Sequence, residues 1–253
     1  MEPSLLLKRL GEISASLEQS GHALALIGCG SVGLELDRLD AYSDLDFFAV
    51  VEPGYKQAYL QDFHWLSDVW PISYCFANTH DGFKLLFADG IFCEFGVVEP
   101  QELATIPFAP GRIVWKKPEV PETISQPVLK PDALPKHDLD WLLGEALTNL
   151  WVGLAREKRG EKLSAMRFIQ GYAVDRILEL AGEIEAAQAV PQDIFSNERR
   201  FEKRYPGIAR QLSAFMQGYE RNCESALAIL SFLEQHFKVN AEMAAAIREH
   251  CVE

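Results

Sequence analysis

Leu24 to Val51 reads LALIGCGSVGLELDRLDAYSDLDFFAVV, two apolar strand-like runs joined through a glycine turn. Gly30-Ser31 closes the first run, and Asp44 and Asp46 open the second with one residue between them. Side chains at i and i+2 of a strand share a face, so both carboxylates are expected to project together where the strand begins. Two carboxylates held that close repel each other unless a cation lies between them. Oxygen-only ligands suit Mg²⁺ or Mn²⁺ better than zinc. The Gly-Ser turn offers backbone N–H groups and a hydroxyl, an environment suited to phosphate. Metal and phosphate together point to nucleotide chemistry.

A competing reading uses the same residues. Gly28-Cys29-Gly30-Ser31-Val32-Gly33 fits the dinucleotide fingerprint GxGxxG after a strand, with Glu52 standing roughly 20 residues on as a ribose ligand. That reading makes the chain a dinucleotide-binding oxidoreductase. It leaves Asp44 and Asp46 at the wrong end of the second strand, and it expects alternating strand and helix units that the remaining sequence does not supply.

Composition narrows the field. The chain has 253 residues, 48% of them hydrophobic, enough for two modest domains with ordinary cores. No run of about 18 apolar residues occurs, and Met1 to Leu10 lacks the apolar core of a signal peptide, so a soluble cytoplasmic protein is expected. Five cysteines, odd in number and widely spaced, read as reduced thiols, three of them core filler. A formal charge of −13 makes a nucleic-acid partner a poor expectation and suits a cationic small molecule better.

Working outward, Ser4 to Gln19 has helical spacing, with Ser4 as its cap and Gly21 as its stop. His22–Ile27 and Asp46–Val51 read as buried strands, Tyr55–Leu66 as one helix, and Val69–Phe76 as a strand that Pro71 confines to an edge or a bulge. Phe83–Ala88 and Ile91–Val98 form a hairpin through Asp89-Gly90, and Ile113–Trp115 adds a short strand. Glu94 is a lone charge in the second hairpin run. It reads either as an edge-strand charge that discourages aggregation or as a third carboxylate of the Asp44/Asp46 site.

A proline-rich stretch, 118–136, separates residues 1–117 from 137–253 and reads as an extended linker. Beyond it Asp138 caps a helix running to Lys158 whose stripe includes Trp141, Leu142, Leu147, Leu150, Trp151 and Leu154. Further helices are expected over Glu161–Ala187 and Gly207–Phe237, with a short one at the end. Basic residues gather at the Arg159-Gly160 break and in the stretch from Arg199 to Arg204. Lys162 and Arg167, at the start of the second helix, are the candidates to meet phosphate.

Gly30-Ser31, then Asp44-Leu45-Asp46 at a strand start, then Glu94 on a later strand resembles the polymerase-beta-type nucleotidyltransferase superfamily. Within it, a strand-rich half followed by a helical half is similar to antibiotic nucleotidyltransferases of the lincosamide and aminoglycoside type. The resemblance implies an α+β protein: a mixed-sheet catalytic domain followed by an all-α helical bundle. It implies that Asp44 and Asp46 bind Mg²⁺, that Gly30 and Ser31 hold the terminal phosphates of ATP or another nucleoside triphosphate, and that Glu94 is a general base or a further metal ligand. It implies AMP transfer from ATP onto a hydroxyl of a small molecule, an antibiotic among the candidates, and it admits a homodimer. A nucleotide-binding or regulatory module of the same fold without turnover is the alternative. The chain departs from the family at Glu35, which must point away from phosphate, leaving Arg38 or the helical half to supply charge.

Overall fold

A computed structural model describes residues 2–129, 137–193 and 195–251. The chain forms two compact units, Met1–Asp132 and Ala133–Glu253. The architecture is α+β, with a six-stranded mixed sheet in the first unit and helices in the second.

The sheet comprises β1 (Ala23–Gly28), β2 (Leu45–Val51), β3 (Ile72–Ala77), β4 (Gly82–Phe87), β5 (Phe92–Val98) and β6 (Arg112–Lys116), in the order β3-β4-β5-β2-β1-β6. Only the central pair, β2 and β5, runs parallel; the other four pairings are antiparallel. β1 and β2 being antiparallel removes the dinucleotide reading, because that fingerprint needs a parallel strand after a helical crossover. Glu52 is instead held by Lys117 and His22. β3 lies at the sheet edge just after Pro71, where the missing N–H costs no ladder bond.

Alternation divides the sheet's two faces. Leu45, Phe47 and Ala49 of β2 and Cys93, Phe95 and Val97 of β5 bury one face against α1 (Pro3–Gln19), α2 (Lys56–Gln61) and α3 (His64–Ser67). α1 contributes Leu6, Leu10, Ile13 and Leu17, a stripe at helical spacing. It starts at Pro3 rather than with Ser4 as its cap, since proline fits the first helical turn. On the same helix Arg9 is 2% exposed; its guanidinium pairs with Glu12 and Asp89 between the rings of Trp70 and Phe87, pinning α1 to the β4–β5 turn. The expected single helix over Tyr55–Leu66 is two, because the chain turns extended at Asp62, whose side chain accepts from the His64 N–H that opens the second.

The opposite face is covered over part of its length only. Ala25, Ile27, Val50 and Val98 pack there with Leu103, Phe108 and Val120. Val120 and Ser125 are buried and Gly111 N–H donates to Ser125 O, so the proline-rich stretch begins as packed chain rather than as an extended linker. Its continuation over 130–136 lies outside the described residues. Of the cysteines, all free, Cys93 is buried in the first unit's core and the partly buried Cys223 and Cys251 pack against that of the second, the three core positions expected, while Cys75 is exposed and Cys29 partly buried.

The second unit is built on α4 (Leu139–Lys158), whose first turn is capped by Asp138 accepting from Trp141 N–H at 2.8 Å. α5 (Lys162–Met166), a π-helical segment over Arg167–Ala173 and α6 (Val174–Ile184) follow as one continuous rod. Leu150 and Leu154 pack on Ile169, Ile177, Ile229 and Leu233, but Trp141 and Trp151 of the expected stripe are exposed, the first lying against His137 and Arg176. After α7 (Phe201–Arg204), the helix expected over Gly207–Phe237 is broken into α8 (Pro206–Ala209), α9 (Leu212–Phe215) and α10 (Asn222–His236); α11 (Ala241–His250) closes the described chain. The break has a cause at Gly218, whose φ is 99° and whose N–H and carbonyl are both bound by the buried Gln170 amide.

Candidate functional site

The parallel pairing of β2 with β5 sets Asp46 directly beside Glu94. Hairpin register sets Lys84 of β4 on the other side of Glu94. Three charged side chains therefore form a row across three neighbouring strands, all on the face that the smaller apolar cluster leaves partly open. Lys84 Nζ donates to Glu94 Oε1 at 2.6 Å. This hydrogen bond, reinforced by the charges of Asp46 and Asp44, raises the Lys84 pKa above its ordinary value. Glu94 is thus interior to the sheet, and its reading as an edge-strand charge is corrected.

Asp44 stands one residue ahead of β2, partly exposed. Gly30 and Ser31 lie in a 3₁₀ turn, Gly30–Val32, directly after β1. Cys29 N–H donates to Asp46 O at 2.7 Å and ties this turn to the start of β2. Gly30 has φ 52°, and a Cβ there would sit 3.4 Å from Asp46 Oδ2 and 3.8 Å from Arg38 Nη2, so its missing side chain leaves space over the Asp46 carboxylate. Ser31 is 9% exposed. The first N–H groups of such a turn have no partner within it, which leaves those of Gly30 and Ser31 suited to an anion.

Arg112, at the start of β6, fixes the far side of the turn. Its Nη2 donates to Val32 O at 2.8 Å, and its Nε lies within 3.3 Å of both Val32 O and Gly33 O. The turn also packs hard against β1: a Cβ on Gly33 would lie 2.7 Å from Gly28 O, and one on Gly28 would lie 2.7 Å from Val32 O. The glycines of the apparent fingerprint serve this close approach. Glu35 pairs with Arg38 three residues on, so its charge is balanced locally.

From the carboxylate row a groove of about 360 Å³ extends along the sheet, lined by Asp46, Glu94, Phe48, Gly96, Asp81 and Ile106 among others. Asp81 forms one wall. Burial pushes its pKa up, but hydrogen bonds from Lys56 and His80 outweigh that and hold it below the usual aspartate value. Lys56 Nζ lies 2.7 Å from Asp81 and 2.6 Å from Glu102. Cys29 also lines the groove, where burial, then the charge of Asp46, push its thiol up to about 12. In the metal-free protein its thiol therefore stays protonated near neutral pH. A larger cavity, about 740 Å³, lies within the second unit between α6 and residues near 195; Leu142 and Arg204 line it, but none of Gly30, Ser31, Asp44, Asp46, Glu94, Lys162 or Arg167 does.

The donor set at the turn is hard. Asp44 and Asp46 offer carboxylate oxygens, and Gly30 leaves room beside one of them. Among the described residues no three His, Cys, Asp or Glu side chains are grouped so as to hold a metal ion by themselves. Two aspartates fit Mg²⁺ better than Ca²⁺ or Zn²⁺, because Mg²⁺ commonly binds through one or two carboxylates and completes its shell with water and substrate phosphates.

Lys162 and Arg167 belong to the second unit. Lys162 Nζ pairs with Glu220 and lies 5.9 Å from the Tyr219 ring centroid; Arg167 is exposed. Lys84, Arg112 and Asp81 did not emerge from the sequence. For Lys84 a signal existed, since the Asp89-Gly90 turn places residues near 84 opposite residues near 94.

No family profile and no curated protein matches the chain. Among solved structures it is similar to an aminoglycoside 6-adenyltransferase from Bacillus subtilis, at 11% identity and a TM-score of 0.35, with 94% of this chain and 89% of the other covered. It is also similar to a STING-associated CdnE c-di-GMP synthase from Capnocytophaga granulosa, at 10% identity and a TM-score of 0.34, with 98% and 78% covered. At such identities and scores these likenesses bear on neither substrate nor chemistry.

Proposed function

We propose that the first unit is the centre of a metal-dependent nucleotidyltransferase that moves a nucleoside monophosphate, AMP from ATP, onto a hydroxyl of a small molecule. The observation that carries this reading is Asp46 lying beside Glu94 on adjacent parallel strands, with a Gly-Ser turn bound to the Asp46 carbonyl. Asp44 and Asp46 would hold Mg²⁺ or Mn²⁺, which when bound neutralises charge on the triphosphate. The N–H groups of the Gly30-Ser31 turn receive phosphate oxygens. The acceptor hydroxyl oxygen forms a bond to the α-phosphorus, the bond from that phosphorus to the bridging oxygen breaks, and pyrophosphate departs. Glu94, facing the same groove, takes the hydroxyl proton.

The acidic groove favours an acceptor that carries hydrogen-bond donors or positive charge, a class that includes aminoglycoside and lincosamide antibiotics. A cytoplasmic setting and a homodimer are compatible with this reading. Among the described residues no helix is long and apolar enough to cross a membrane.

A second reading, a nucleotide-binding module without turnover, is supported by Glu94 being engaged by Lys84. Calorimetry with Mg²⁺ and a non-hydrolysable ATP analogue separates metal-dependent binding from none: Asp44→Asn and Asp46→Asn are each expected to abolish it, and wild-type binding in both sinks the metal assignment. Pyrophosphate release from labelled ATP across aminoglycosides, lincosamides and polyols then decides between transfer and binding alone.

A further inference from the structure

The row Lys84–Glu94–Asp46 places a cation where none was expected. Lys84 is 39% exposed and Glu94 40%, so their ion pair faces solvent. Ion pairs that exposed contribute little net stability, and Lys84 can exchange its partner at small cost. In the ligand-free protein the pair has a role: without Lys84, the carboxylates of Glu94 and Asp46 would face each other as like charges on neighbouring strands. A polyphosphate carries several negative charges against Glu94's one, and phosphate oxygens accept strongly from an ammonium group. Other cations near the groove are committed: Lys56 is 7% exposed between Asp81 and Glu102, and Arg38 is paired with Glu35.

We propose that Lys84 is a phosphate-receiving latch. It neutralises Glu94 while the groove is empty, and it transfers to a phosphoryl group of the entering nucleotide, which releases the Glu94 carboxylate beside Asp46. This rests on the nucleotidyltransferase reading for its ligand but not for its test. Lys84 touches phosphate, and the Glu94 carboxylate becomes available to an acceptor proton only when phosphate is present.

The probe is inorganic tripolyphosphate, titrated into the full chain in EDTA at low ionic strength, so that no divalent cation contributes. Lys84→Met is expected to weaken binding about tenfold, the loss of one charge-assisted contact. Glu94→Gln is expected to strengthen binding about threefold in the presence of Lys84 and by clearly less in the Lys84→Met background, where only the repulsion by the carboxylate is removed. Lys116→Met, a β6 lysine paired with Glu122, serves as the control and leaves affinity unchanged. The three positions are partly exposed, so thermal melts should show all variants folded. Wild-type affinity in Lys84→Met, or an equal effect of Glu94→Gln in both backgrounds, overturns the latch. Tripolyphosphate results as expected together with Mg²⁺·ATP analogue binding that survives Asp44→Asn and Asp46→Asn would uphold the latch and refute the transferase reading; the reverse pattern refutes the latch alone.

Discussion

Gly30→Ala separates the backbone cost of the phosphate turn from the space it provides. At φ 52° an alanine enters the left-handed region, at a cost of about 1 kcal/mol. The added Cβ would be 3.4 Å from Asp46 Oδ2 and 3.8 Å from Arg38 Nη2, ordinary contact distances that add no steric penalty. The variant should therefore fold, with Tm lower by about 4 °C for a unit of this size. The same methyl occupies the space over the Asp46 carboxylate where an ion or phosphate must sit. Mg²⁺·ATP analogue affinity, measured by calorimetry, is expected to fall at least about tenfold, which corresponds to about 1.4 kcal/mol. Gly21→Ala is the matched control: φ is 90° and nothing lies within 4 Å of its Cβ, so it should show a comparable Tm loss with unchanged affinity. Wild-type affinity in Gly30→Ala would refute the placement of ligand over Asp46. A Tm loss far beyond that of Gly21→Ala would refute the contact argument.

Arg112→Gln removes the guanidinium that holds Val32 O and Gly33 O; a stability loss of about 2 kcal/mol in denaturant unfolding and weaker analogue binding are expected, and unchanged binding in the folded variant excludes a positioning role.

Local chemistry was legible from the residues. Asp138 as a cap, Asp89-Gly90 as a hairpin turn and Pro71 as the mark of an edge strand each depend on neighbours a few residues away. The errors arose where a distant group overruled a local pattern. Apolar spacing runs on through Gly207–Phe237, yet the Gln170 amide binds both backbone groups of Gly218 and stops the helix there. GxGxxG reads as a cofactor loop until the antiparallel partner of β1 shows that its glycines let the turn pack on its own strand.

The sequence by itself determined which residues carry charge, where the strands run, and which side chains of one strand share a face, because these follow from covalent geometry and a period of about 2 residues. Tertiary structure alone decided that Glu94 stands beside Asp46, that Lys84 holds Glu94, and that Arg112 reaches the Gly30 turn. Those juxtapositions depend on strand order, and strand order is set by burying both faces of the whole sheet at once, a balance that no single segment encodes.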